Sequence, residues 1–496
     1  MSERLCLAVD IGGSSIKLLT ARYAAGQIEV LDQYSVPTRP LGGDGHLRID
    51  LPAFTEAVLA GLERAGAAGR LPQTLGIDTF GNGYGYLDRS GELLELPYFY
   101  KDPRTRGILA EMDQVVPLYE VYQSSGLYPT DIRVLMQLFY DSRRPESPIH
   151  HCQRLLLLPG LLNHALTGRV LAEESMASVA NLLDLEGRRW NTLLMERLGI
   201  PTDILPPLVT GGQICGPLRP ELARRVGGEV QVVSVTTHDT EAALLAAPEM
   251  EVGRLFASIG TSVIFGIRTA APVISRQGHE GAFKNIKGPF QYSLCRDFNA
   301  MWLFEQCVAD WRRERPDLTY RDIDQACLEA GEARAYLNVC DPFLRTEHPS
   351  MPAAVQEYCR STGQPVPGTL GEIAACVFDS IVLQALWSLR QIQQITGQTR
   401  QTGLTAIGGG IKNALFIQHL ADALNLPVTT GSGNSSALGN VLTQLYATGE
   451  LADEPAIRQT AQRSITSRVF LPHPSPRWEK ALLVLDKLDQ IRGIWR

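Results

Sequence analysis

Leu5-Cys6-Leu7-Ala8-Val9-Asp10-Ile11-Gly12-Gly13-Ser14-Ser15-Ile16-Lys17 reads as an apolar strand, a turn of glycines and hydroxyls, and a second strand leaving it. About 250 residues later the device recurs as Leu255-Phe256-Ala257-Ser258-Ile259-Gly260-Thr261-Ser262-Val263-Ile264-Phe265. Such a turn gathers main-chain N–H groups and hydroxyls at a tip suited to phosphate. One copy in each half of the chain predicts two related α/β lobes closing on a nucleotide. Asp10 adds a requirement, because a carboxylate so near the tip repels phosphate unless a cation lies between them. Mg2+ held by a carboxylate and substrate phosphates is the usual solution.

At 496 residues the chain exceeds the roughly 250 to 300 residues that one core serves. The second hairpin opens just after Gly253, so the lobe boundary is expected near residue 250, giving lobes 1–250 and 251–496. The composition, 44% hydrophobic and 20% charged, is that of a folded globular protein. With 46 basic and 53 acidic residues the formal charge is -7, which works against nucleic acid or anionic membrane as partner and favours small-molecule chemistry. The apolar run 155–162 is broken by Pro159 and Gly160, and the first residues lack a signal-peptide core, so neither a membrane span nor a leader is expected. Nine cysteines without a Cys-x-x-Cys unit read as reduced thiols of a cytoplasmic protein.

Strands are predicted over 5–10, 16–23 and 28–34, a helix over 51–65 and a strand over 74–78. A hairpin turned at Asp88-Arg89-Ser90-Gly91 follows, then a helix over 155–167 with Pro159 near its start, and a strand over 230–235. In the second half Leu370, Ile373, Val377, Ile381, Ala385, Leu389 and Ile392 recur at helical steps, and Gly397 supplies the stop. A strand over 404–407, the run Gly408-Gly409-Gly410, a helix over 413–424, a strand over 428–430, a helix from about 437 and a helix over 476–491 complete an α/β pattern.

No G-x-x-x-x-G-K-[ST] string is present, and Gly81-Asn82-Gly83-Tyr84-Gly85 runs into Tyr86 and Leu87 instead of opening a helix, which excludes a P-loop and a dinucleotide fingerprint. Asp239 or Thr240, just ahead of Glu241-Ala242-Ala243-Leu244-Leu245, suits a helix N-cap, a role compatible with keeping an Asp239 carboxylate ionised for base chemistry.

Six segments occur in one order: Asp10-Ile11-Gly12-Gly13-Ser14-Ser15-x-Lys17, Gly76-Ile77-Asp78-Thr79-Phe80-Gly81, Tyr100-Lys101-Asp102-x-Arg104-Thr105, Thr237-His238-Asp239-Thr240, Ser258-Ile259-Gly260-Thr261-Ser262 and Ile407-Gly408-Gly409-Gly410-x-x-Asn413. Together they resemble the FGGY carbohydrate kinases, and among these the rhamnulokinase branch, over roughly residues 5–450. The resemblance implies the actin-like ATPase fold, two ribonuclease-H-like α/β lobes about a central cleft, with sugar on the first lobe and nucleotide on the second. It implies ATP and Mg2+ as cofactors, Gly12, Gly13, Ser14, Ser15 and Lys17 at the phosphates, Asp10 at the metal, and Thr261 holding the γ-phosphate from the opposite lobe. Gly409, Gly410 and Asn413 would lie beside the nucleotide. Asp239 would take the proton of the attacking sugar hydroxyl late in a loose transition state, and Gly81, Asn82, His238, Asp239, Thr240 and Asp297 would contact the sugar. Lys17 and Arg104 suit structural roles equally well.

The chain departs from the rhamnulokinase pattern in four places. Asn82-Gly83 stands for Val-Asp, Asp297 for Asn, Leu158-Pro159-Gly160 lacks the Asp that follows Pro, and Asn434 stands for Glu. These changes concern the sugar more than the phosphates. The expected activity is ATP-dependent phosphorylation of a ketose or deoxyketose by a monomer or homodimer. A kinase for another polyol or sugar acid, or a non-catalytic actin-like regulator, is the alternative.

Overall fold

Both turns close antiparallel hairpins in the computed structural model, which describes residues 3–298 and 300–492. In the first lobe, β1 (Arg4–Ile11), β2 (Ser15–Ala24), β3 (Gln27–Pro37), β4 (Thr74–Thr79) and β5 (Gln231–Ser234) lie in the order β3-β2-β1-β4-β5, with Gln213–Pro217 on the edge beyond β5. The first three strands meander antiparallel, and β1, β4 and β5 run parallel. The second lobe repeats the scheme. Its strands β6 (Leu255–Ile259), β7 (Val263–Thr269), β8 (Tyr292–Phe298), β9 (Leu404–Ile407) and β10 (Val428–Thr430) lie in the order β8-β7-β6-β9-β10 with the same senses. Lys284–Lys287 and Val469–Phe470 extend its two edges. Cys6 to Ile11 is buried throughout, as a central strand covered on both faces requires.

Helices cover these sheets through periodic apolar faces. In α1 (Leu51–Ala67), Asp50 caps the Ala53 N–H and Phe54, Val58, Leu62 and Ala65 are buried. The chain turns back at Asp88-Arg89-Ser90-Gly91 as expected, but the returning arm meets Tyr84–Leu87 only through a Leu87–Leu93 bridge and a Leu94 N to Tyr86 O bond of 2.9 Å, whereas the strand Arg154–Leu157 pairs with it along its length. The helix expected over 155–167 therefore starts as that strand, and α2 (Leu158–Thr167) follows with Pro159 in its first turn. Leu155, Leu156 and Leu157 form an apolar edge, whereas the arm after Gly91 carries Glu92 and Glu95, so the distant strand forms the ladder and the local arm only a bridge.

In the second lobe, α4 (Leu370–Thr396) begins with a Thr369/Glu372 capping box and ends on the left-handed Gly397. It is long and apolar enough to cross a membrane, but most of it is buried in the core. The apolar run 155–162 is thus not the relevant one. The helix α5 (Ala414–Leu424) follows β9.

Two helices exchange places between the lobes. From the first lobe, α3 (Asp239–Leu245) sends Ala243 and Leu244 into the same buried cluster as Phe256, Cys295 and Ile407 of the second. From the second, α6 (Ser435–Ala447) lays Ala437, Leu438, Val441, Leu442 and Leu445 against Cys6, Ala8, Leu19 and Ala21. Gln444 Nε2 of α6 donates to Leu7 O at 3.0 Å. Asn434, just ahead of α6, exchanges two amide hydrogen bonds of 3.2 and 2.7 Å with Gln33 of β3, a neutral tie between the lobes.

The two helices cross closely, because a Cβ on Gly439 would lie 1.7 Å from Ala242 O. Gly439→Ala is therefore expected to destabilise by about 3 kcal/mol, read as a lower denaturation midpoint. Gly433→Ala, where a Cβ meets nothing within 4 Å, is the control. Equal midpoints for both variants would show that the crossing yields.

Candidate active site

The parallel register of β1 and β4 sets Asp10 beside Asp78 at the ends of their strands, and both are buried. Lys17, opposite Asp10 on β2, approaches it to 3.4 Å. Asp78 Oδ1 accepts from Asn440 Nδ2 of α6 at 2.6 Å, while its Oδ2 has no partner among the described residues. Burial pushes Asp10 above the ordinary carboxylate range; Lys17 opposes this and Asp239 adds to it. Burial raises Asp78 well above that range too, with Asp10 and Asp239 acting in the same direction. Asp10, Asp78 and Asp239 thus act on one another in one region, and Lys17 acts on all three.

Asp239 is the first residue of α3, not its cap; His238 occupies the cap position and makes no side-chain capping bond. Asp239 Oδ1 accepts from Thr240 N at 2.5 Å and Thr240 Oγ1 at 3.1 Å. Thr240 is buried and serves the carboxylate. Asp239 Oδ2 has no hydrogen-bonding partner among the described residues, and about a third of the side chain (32%) is open. Burial raises the carboxyl above the ordinary aspartate value; Thr240, Lys17 and Lys284 partly offset this.

The segment is placed from below by Glu173, which accepts from Thr237 N at 3.2 Å and Thr237 Oγ1 at 2.7 Å. Ser175, which hydrogen-bonds Glu173, accepts from His238 N at 3.1 Å. Burial lowers His238 to about 4, helped by Lys284 and Arg133 and opposed by Glu241, so the ring is neutral at pH 7. Its Nε2 is 3.6 Å from Asp239 Oδ1, and its Nδ1 is buried without a partner among the described residues.

Asp297 on β8 stands against Lys284 of the adjoining edge strand at 2.7 Å, with half of its side chain open. Burial opposes its ionisation, but Lys284, Arg133 and Arg296 outweigh that and hold it well below the usual range. Asn82 is buried with a left-handed φ of 73°; Gln137 Nε2 donates to its main-chain oxygen at 3.1 Å, and Arg104 holds Gln137 Oε1 at 2.9 Å. Asn82 Oδ1 has no partner among the described residues. A Cβ on Gly81 would come 3.0 Å from Val179 Cγ1.

Gly13 and Ser14 form the exposed tip of the first hairpin, closed by Gly12 N to Ser15 O at 2.9 Å. A Cβ on Gly13 would lie 3.5 Å from the hydroxyl of Tyr100, whose pKa burial and Asp239 both raise. At the second tip Gly260 N donates to Ser262 O at 2.9 Å, and Trp302 N holds the main-chain oxygen of exposed Thr261 at 2.9 Å. Gly409 is open, but Gly410 is required by packing, since its Cβ would sit 2.2 Å from Ile259 Cγ2 at the end of β6. Asn413 caps α5 through Phe416 N at 2.9 Å and donates to Asp324 at 2.8 Å. Its side chain is thus engaged within the lobe, and it fixes the glycine turn.

Among the described residues no three His, Cys, Asp or Glu side chains form a cage for a metal ion. A phosphate-bridged Mg2+ needs only one or two carboxylates. The unpartnered Asp78 Oδ2 and the crowding of Asp10, Asp78 and Asp239 fit a cation there.

Four residues of the site have no role assigned from the sequence: Asp78, Glu173, Arg133 and Lys284. Asp78 carried a usable signal, since it lies in one of the six ordered segments, and the fold sets it in register with Asp10. The other three lie on elements that only the tertiary fold brings to this cleft.

The FGGY family model for the N-terminal domain of carbohydrate kinases matches residues 5–246, and the model for the C-terminal domain matches residues 255–448. The chain belongs to the FGGY family of carbohydrate kinases. It is an ATP-dependent phosphotransferase with an alcohol group as acceptor. This FGGY kinase is similar to rhamnulokinase of Enterococcus faecalis, 31% identical over 479 residues and covering 96% of this chain and 95% of that one. It is also similar to rhamnulokinase of Bacteroides thetaiotaomicron, 29% identical over 480 residues with 96% and 97% covered. Its fold matches the gluconate kinase of Lactobacillus acidophilus with a TM-score of 0.81 at 16% identity, covering 99% of this chain and 98% of that one.

Proposed function

We propose that this FGGY kinase transfers the γ-phosphoryl group of ATP to a hydroxyl of a rhamnulose-like ketose or deoxyketose, with Asp239 as general base. The observation that carries the reading is the asymmetry of the Asp239 carboxylate: Oδ1 is anchored by Thr240, and Oδ2 accepts no hydrogen bond among the described residues. The sugar oxygen forms its bond to the γ-phosphorus as the bond to the β,γ-bridging oxygen breaks. ADP leaves with that oxygen, and Asp239 Oδ2 receives the hydroxyl proton. Burial makes this carboxylate a stronger base than a solvated aspartate.

Gly12 to Ser15 and Thr261 position the phosphates from the two hairpin tips, with Gly409 and Gly410 beside the nucleotide on the second lobe. Asp10 and Asp78 would hold Mg2+, which neutralises phosphate charge when bound. Gly81, Asn82 and His238 from the first lobe and Asp297 from β8 of the second surround the sugar. Closure of the lobes excludes water as a competing acceptor, and the dependence on ATP fits a cytoplasmic enzyme.

The test is ADP release with MgATP across a panel of ketoses, deoxyketoses, polyols and sugar acids. Stimulation by ketoses or deoxyketoses, with the phosphorylated sugar recovered, is the expected result; stimulation confined to polyols that lack a carbonyl overturns the acceptor class.

A further inference from the structure

Arg133, ahead of the helix Val134–Ser142, is only 6% exposed. Its side chain makes one long hydrogen bond among the described residues, to Val179 O at 3.4 Å, and its Nε is buried without a partner. Burial pulls the guanidinium below its usual range, and the carboxylate that acts to restore it is Asp297. Asp297, however, is already held by Lys284 at 2.7 Å, and His238 is uncharged at pH 7. The carboxylate that Arg133 feels is thus already ion-paired with Lys284, and Arg133 itself makes no ion pair among the described residues. A buried charge in that state is strongly unfavourable unless a ligand completes it.

Its position identifies the ligand. Val179, whose carbonyl Arg133 touches, packs its side chain over Gly81, and the neighbouring Asn82 presents an unpartnered Oδ1. Arg133 also acts electrostatically on His238, next to Asp239. The unused donors therefore belong to the acceptor end of the cleft. A guanidinium fork matches the two oxygens of a carboxylate, which would supply the ion pair that Arg133 lacks.

We propose that Arg133 binds a carboxylate of the acceptor, so that the substrate is a keto sugar acid whose oxidised end lies away from the phosphorylated hydroxyl. This rests on the sugar-kinase reading above and narrows it. Asp297, fixed by Lys284, accepts hydrogen bonds from the hydroxyls between the two ends.

The test offers MgATP with matched ketose pairs that differ only at the chain end, carboxylate against CH2OH or CH3, and reads kcat/KM from ADP release. The acid member is expected to exceed its neutral partner by about a hundredfold or more. In Arg133→Gln the ratio should fall to within about fivefold, and Arg133→Lys should retain part of it. A neutral member preferred by the wild type overturns the proposal and leaves the kinase reading standing. So does a ratio unchanged in Arg133→Gln. No transfer to either member of any pair overturns the ketose reading and this inference with it. If Arg133→Gln does not fold, the wild-type ratio and Arg133→Lys decide.

Discussion

Asp239→Asn is expected to lower kcat by about a thousandfold, within the usual range for removing a positioned acid or base, while ATP affinity changes less than about threefold. The amide keeps the oxygen that accepts from Thr240, so the start of α3 retains its local bonds. Only the acceptor for the hydroxyl proton is lost. Phosphosugar formation by coupled assay and nucleotide affinity by calorimetry separate the two effects. Turnover within tenfold of wild type would remove Asp239 from the base role. The pH dependence carries the same argument. Asp239 must be ionised to act, and burial raises its pKa, so kcat/KM should fall with decreasing pH along a limb lying above the ordinary aspartate value of about 3.9. Asp10 and Asp78 are raised too, so the limb should be steeper than one proton.

Glu241→Ala is expected to destabilise the protein by about 3 to 5 kcal/mol, the cost of stranding a buried charge. Glu241 on α3 accepts from Arg268 Nη1 of β7 at 2.7 Å and from Ser293 Oγ of β8 at 2.5 Å, with both charged side chains buried. Without Glu241, the guanidinium keeps only neutral hydrogen-bonding partners among the described residues, Ser293 and Gln291. Removing both charges in Glu241→Met with Arg268→Met should recover much of the loss, because apolar replacement of a buried pair is often neutral. Denaturant midpoints of the two single variants and the double variant provide the measurement. If the double variant is no better than Glu241→Ala, the loss comes from packing and not from the stranded charge.

The hairpins made the topology legible. Each places a glycine and hydroxyl turn between apolar strands, and their repetition required two sheets of one design. The long helix was equally plain, since its apolar steps run from Leu370 to Ile392 and a glycine follows. The segment 155–167 misled because a leucine run has no period of its own, and only its partner Tyr84–Leu87 shows that part of it is a strand. At the site, Asp10 and Asp239 stood out through local pattern. Lys284 and Arg133 did not, because a lysine on an edge strand and an arginine before a helix acquire meaning only when folding brings them to Asp297. Asn413 carries the opposite lesson. A residue matched to a nucleotide motif spends its amide on a helix cap and an aspartate.

The exchange of α3 and α6 also has a consequence for biosynthesis. The sheet of the first lobe is complete once Ser234 has been made, yet the face formed by Cys6, Ala8, Leu19 and Ala21 is covered by residues of α6. At ordinary elongation rates the ribosome delivers α6 roughly 10 to 40 s after α3. Throughout that interval the nascent first lobe carries an uncovered apolar face, so its safe maturation depends on a helix that belongs to the second lobe.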